Sequence, residues 1–156
     1  MIINTELEQK GNLFPSKIIT FTKDVDTLHF TTENKVTLQL TVVRDSILRF
    51  RYSTTGRFED DFSYAITKYA NTGYNQLEIE ENDTCYCITT SKLKCHIYKD
   101  SLGVEIFDAK DGTLLSKDEA GFHWEESYEH GGDIVKMSKV SHDGESYFGL
   151  GDKPLN

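Results

Sequence analysis

The chain of 156 residues has little of several things, and each scarcity excludes something. Its longest unbroken apolar run is four residues, Cys85 to Ile88, where a bilayer span needs about 18 or more. No stretch of it crosses a membrane as a helix. Met1-Ile2-Ile3 runs straight into Asn4, Thr5, Glu6 and Glu8, with no apolar core of a secretory signal. The expected location is therefore the cytoplasm, a leader already trimmed from a periplasmic or secreted protein being the one alternative. Positive charge is scarce too: 17 Lys+Arg against 26 Asp+Glu give a net charge of -9, and no basic stripe breaks that field. Phosphate backbones are repelled, so nucleic acid is excluded as a partner. The acidity otherwise reads as a solvated surface.

Only two prolines, Pro15 and Pro154, occur, and both sit outside the stretches that alternate. Cysteine is limited to Cys85, Cys87 and Cys95. Strand spacing puts the first two on one face, but C-x-C with one further cysteine eight residues on is no zinc spacing. A fourth ligand would have to be His96, which a shared strand would turn away from Cys95. The three read as small buried hydrophobes in a reducing compartment, and no metal or other cofactor is expected.

What the chain does have is alternation. Val36 to Val42 places four apolar residues at i, i+2, i+4 and i+6 with polar residues between them. Arg44-Asp45-Ser46 turns, and Ile47 to Tyr52 resumes with Leu48, Phe50 and Tyr52 in phase, predicting a hairpin with Arg49 and Arg51 on its wet face. Further strands are predicted at 76–80, 84–90, 93–98, 104–107, 113–115, 122–128, 133–140 and 145–150. Asp111-Gly112 supplies a tight turn. Ser53 to Asp61 reads as an exposed loop, and Glu129 to Gly132 breaks the pattern again. Ten or eleven strands with no helical period make an all-β antiparallel β-sandwich, and a chain of this length buries roughly two thirds of its extended surface without disulfides.

The residues alone assemble no catalytic site. His29, His96, His123, His130 and His142 show no H-x-H, H-x-x-x-H or H-E-x-x-H spacing. No serine lies in G-x-S-x-G, and Gly149-Leu150-Gly151 lacks the following helix that phosphate binding requires. The carboxylates Asp24, Asp26, Glu59, Asp60, Asp61, Asp108, Asp111, Glu125 and Glu126 sit where turns and hairpin ends put acids, and sequence shows no converging pair. Tyr64, Tyr69, Tyr74 and the single tryptophan, Trp124, could stack on sugar rings, though most aromatics must serve the core.

One segment narrows the function. Glu145-Ser146-Tyr147-Phe148-Gly149-Leu150-Gly151-Asp152-Lys153 resembles the E-x-x-[YF]-[YF]-G-[LF]-G-[ED]-[KR] segment that closes the N-terminal domain of glycoside hydrolase family 31, the α-glucosidase and α-xylosidase family. Val42 to Tyr52 and Thr84 to Gly112 are similar to its earlier strands in the same order, so the resemblance spans roughly 18–156. It implies a galactose-mutarotase-like sandwich over 18–156 after a lead-in at 1–17, packed in the family against a (β/α)₈ barrel. That barrel carries the aspartate nucleophile, in a W-x-D-M-N-E type strand, and the acid/base. Neither motif occurs here, since Trp124 is followed by Glu125-Glu126. The resemblance thus implies a domain with no catalytic residue of its own, truncated before the barrel. Gly149, Leu150, Gly151 and Asp152 act as a structural turn, and no substrate-binding residue is assigned. The implied partners are the barrel, the parent's oligosaccharide substrate and, through an uncovered face, a second copy of the chain. An autonomous carbohydrate-binding sandwich remains the alternative, and an aldose 1-epimerase relative needs nearly twice this length.

Overall fold

The computed structural model describes residues 11–60, 74, 76–127 and 131–146. Ten strands follow in chain order: β1 (Ile18–Asp24), β2 (Thr27–Thr32), β3 (Thr37–Arg44), β4 (Ile47–Ser53), β5 (Glu78–Glu81), β6 (Cys85–Thr89), β7 (Leu93–Tyr98), β8 (Val104–Asp108), β9 (Leu114–Ser127) and β10 (Gly132–Lys139). They form two antiparallel sheets, β1-β2-β3-β4 and β10-β9-β8-β7-β6-β5. Every neighbour within a sheet is also a neighbour in sequence, so both are meanders joined by short turns.

The period-2 pattern decides which face is buried. Leu28, Phe30, Leu38, Leu40 and Val42 are all fully buried, and cross-strand pairing of Leu28 with Leu40 and of Phe30 with Leu38 stacks them on one face. Ile88, Cys95, Ile97 and Val104 answer from the six-stranded sheet. Aromatic pairs join the layers at both ends. Phe21 of β1 and Phe30 of β2 meet Tyr86 of β6 at 4.9 and 5.3 Å, while Tyr52 of β4 stacks on Phe122 of β9 at 4.4 Å with the rings 6° from parallel. Hydrogen bonds tie the rims: Thr90 Oγ1 donates to the Asp45 carbonyl at 2.6 Å, and the Ile18 amide to the Lys99 carbonyl at 2.6 Å.

The opposite face of the first sheet is polar. Threonine hydroxyls pair across strands at Thr27–Thr41 (3.2 Å) and Thr31–Thr37 (3.3 Å), and Arg51 donates to Gln39 at 3.3 Å. The arginine thus lies on the wet face that alternation assigns it.

Two expectations need correction. The segments expected at 113–115 and from 122 onward fall on one strand, β9, over Leu114–Ser127, because the Ser116 to Glu119 stretch continues the ladder. Gly121, at φ +65°, forms the bulge that lets both halves pair. The expected strand at 145–150 does not begin at its start: Glu145 lies in a turn with its amide on the His142 carbonyl at 3.2 Å, and 147–150 fall outside the described residues. All three cysteines are buried, as small hydrophobes are expected to be. β6 alternates, so Tyr86 and Ile88 face the first sheet while Cys85 and Cys87 face the other way, and only Cys95 belongs to the core cluster.

The segment before β1 is stitched to the sandwich. Leu13 exchanges both backbone hydrogen bonds with Trp124, at 2.7 and 3.0 Å, and Phe14 stacks on His123 with centroids 5.2 Å apart. Asn34, in the β2–β3 turn, takes the Phe14 carbonyl and the Ser16 amide.

Candidate functional site

One candidate among the described residues is a cleft of about 300 Å³ where β4 runs into its following loop and β9–β10 closes the other side. Alternation along β4 sends Tyr52 inward and Arg51 outward, and the loop then brings Arg57 and Phe58 over the strand end. Arg51 donates to the Glu59 carbonyl at 2.8 Å and lies over the Phe58 ring at 5.1 Å, which pins the loop. Ser53 Oγ donates to the Arg57 carbonyl at 2.6 Å. Across the cleft, Thr54 Oγ1 donates to Asp133 Oδ2 at 2.7 Å and joins the first sheet's loop to β10.

The floor is the Tyr52–Phe122 stack. Burial, then the charge of Asp118, then Cys95, raise the Tyr52 hydroxyl well above its ordinary range, so it stays a neutral phenol. Asp118 itself is 5% exposed, accepting Lys139 Nζ at 2.7 Å and the Val104 amide at 3.0 Å. Such an arrangement binds and orients. Asp133 is engaged as a tie between sheets and Arg51 as a clasp on its own loop, so neither is left poised for proton transfer.

Residues 37–156 match the family described as the glycosyl hydrolase 31 N-terminal galactose mutarotase-like domain. The chain belongs to this family. No curated protein sequence matches it. Among solved structures, a glycoside hydrolase family 31 dextranase of Flavobacterium johnsoniae, seen with isomaltotriose, is 23% identical with a TM-score of 0.76. It aligns with 92% of this chain but only 17% of its own. A cycloalternan-forming enzyme of Listeria monocytogenes, seen with a pentasaccharide substrate, is 19% identical with a TM-score of 0.60 over 74% of this chain and 11% of its own. The mutarotase-like domain thus spans about a sixth or less of these relatives, and at such identity they show its fold.

Within the domain, the residues singled out from sequence disperse. Gly149, Leu150, Gly151 and Asp152, together with Tyr64, Tyr69 and His130, lie outside the described residues. Trp124 is 8% exposed and stacks on Phe122 at 5.9 Å inside the core, and Tyr74 packs against that core, so neither is a free platform for a sugar ring. The tryptophan and tyrosine reading of a sugar-binding face fails at both described positions, because the interior needs their area.

Among the described residues no three His, Cys, Asp or Glu side chains converge on a metal position. His123 is buried with Nδ1 3.0 Å from the Gly121 carbonyl. His96 faces outward on β7, away from Cys95, as shared strand position requires. Its Nε2 is buried without a hydrogen-bond partner among the described residues. Burial, then Lys94, lower its pKa, and Glu105 opposes them.

Sequence reasoning missed Asp118, Asp133 and Phe58. The exposed loop after β4 was a visible signal for Phe58. Asp118 carried none, since a buried carboxylate in a charged stretch is distinguished only by its tertiary partners.

Proposed function

We propose that this domain is the non-catalytic sandwich of an α-glycoside-processing enzyme, supporting a separate catalytic barrel and lending the loop after β4 to the rim of the sugar pocket. The parent reaction is retaining hydrolysis of a terminal α-glycosidic bond. One carboxylate attacks the anomeric carbon, and a second protonates the leaving oxygen and then activates water. The observation that carries the reading is the family match over 37–156. The cleft supports it, because Arg51 holds the loop and Asp133 ties it to β10. The dextranase relative is seen with isomaltotriose and the cycloalternan-forming one with a pentasaccharide substrate, which favours an α-glucan as the substrate class. We place the protein in the cytoplasm, a reading supported by free thiols at Cys85, Cys87 and Cys95.

The test compares the 156-residue chain with the longest natural polypeptide that contains it, on p-nitrophenyl α-glucoside, isomaltose and maltose. The chain alone is expected to give no turnover, and the longer polypeptide turnover with retention of anomeric configuration by NMR. Hydrolysis by the purified chain alone would overturn the reading.

A further inference from the structure

Among the described residues, Cys85 and Cys87 are a pair of thiols in contact that neither the sheet-to-sheet core cluster nor the cleft uses. Their sulfurs lie 3.6 Å apart, both thiols are free, and the residues are 4% and 7% exposed. They stand on the face of β6 turned away from the first sheet, beside the side chains of their cross-strand partners Tyr98 and His96.

Asn82 explains why the pair is held. In the β5–β6 turn its Oδ1 accepts the amides of Thr84 (2.9 Å) and Cys85 (2.8 Å) and the Thr84 hydroxyl (3.0 Å). That fixes the amide plane and turns Nδ2 toward the sulfurs, 3.4 Å from Cys85 and 3.9 Å from Cys87. A fixed donor aimed at two sulfurs favours thiolate character. Burial, then the hydrogen bond to Cys85 and that group's charge, oppose this and push the Cys87 thiol up to about 11.

We propose that Cys85 and Cys87 form a dithiol site for a thiophilic trivalent centre of the organoarsenical type. At a bond length of about 2.3 Å to each thiolate, a separation of 3.6 Å subtends roughly 100° at the bound atom. That angle suits a pyramidal centre with two sulfurs and one substituent of its own. It does not suit a linear two-coordinate ion, and a tetrahedral structural zinc lacks its other protein ligands among the described residues. With phenylarsine oxide the step balances without redox chemistry. Two S–H bonds and the As=O bond break, two As–S bonds form, the protons leave with the oxygen as water, and arsenic stays trivalent.

The test is intact-mass analysis of the chain treated with phenylarsine oxide in excess β-mercaptoethanol. One phenylarsenic group per chain is expected to persist, because the second As–S bond is intramolecular and the monothiol is not. Dithiothreitol, a competing dithiol, should remove it. Cys85→Ser and Cys87→Ser should each lower retention at least about tenfold, while Cys95→Ser leaves it unchanged. Circular dichroism confirms that each variant folds. No retained adduct on the wild-type chain, or one that survives either Cys85→Ser or Cys87→Ser, overturns the proposal. Asn82→Asp tests the positioning role, since it keeps the turn acceptor but aims a carboxylate at the sulfurs. The half-maximal pH of arsenical capture should then rise by about one unit, a tenfold slower reaction at fixed pH. An unchanged pH profile removes Asn82 from the site.

Discussion

Leu38 pairs with Phe30 on one side and Tyr52 on the other, and no part of it reaches solvent. Leu38→Ala therefore removes packed methyl groups between both layers and should cost about 3 kcal/mol in urea denaturation. Ion pairs divide by burial. Lys139 meets the 5%-exposed Asp118, whereas Lys92 meets Asp45 at 3.6 Å with its own side chain 63% exposed. Lys139→Ala should cost about 1–3 kcal/mol by leaving a buried carboxylate short of a partner, and Lys92→Ala less than about 1. Among the described residues, the half-buried Glu105 and His96 contribute to acid sensitivity. Hydrogen bonds from Lys117 and then Tyr98 lower the Glu105 pKa, and burial lowers that of His96. Both folded values lie below the unfolded ones, so their stabilisation is present at neutral pH and is lost as pH falls, from about 6.5 for His96 and about 4.3 for Glu105. His96→Gln should flatten the fall in thermal stability between about pH 7 and 5, and an unchanged slope would assign that fall to other groups.

β9 shows how an element can contradict its own composition. Ser116 to Ala120 is too polar to read as a strand, yet Lys117 reaches Glu105 at 2.8 Å and Asp118 turns inward to Lys139. Neighbouring strands supply the partners that the stretch lacks by itself. Gly121 makes the continuity possible: a Cβ there would lie 3.0 Å from Asp118 Oδ2 at φ +65°. Gly121→Val should destabilise the domain by about 2 kcal/mol or more and disturb the Asp118–Lys139 pair, measured by urea denaturation and by the lysine's NMR shift. Leu102, buried at 2% with φ +56°, accepts comparable backbone strain in exchange for a place in the core. β3, by contrast, follows its alternation from Leu38 to Val42, since there one face is dry and the other wetter and period 2 then reports burial directly.

At the scale of the molecule, the six-stranded sheet is wider than the four-stranded one. Val135 and Met137 pair with Trp124 and Phe122 on the inner face, yet are 64% and 45% exposed. Leu13 and Phe14 add exposed apolar area beside β9. The isolated chain should therefore self-associate as its concentration rises, and Val135→Lys with Met137→Lys should shift sedimentation toward monomer. A monomeric wild-type profile at high concentration would show that the edge stays wet.

The sequence by itself determined the all-β class, the hairpins, the faces of β2 to β4 and the family. Those follow from local alternation, turn chemistry and short motifs, each contained in a few neighbouring residues. Tertiary structure alone decided that Trp124 is core rather than platform, that β9 is continuous, that Asp118 is buried and that Cys85 and Cys87 touch outside the core cluster. Each of these depends on which strand lies opposite, and a partner tens of residues away leaves no mark on the local pattern.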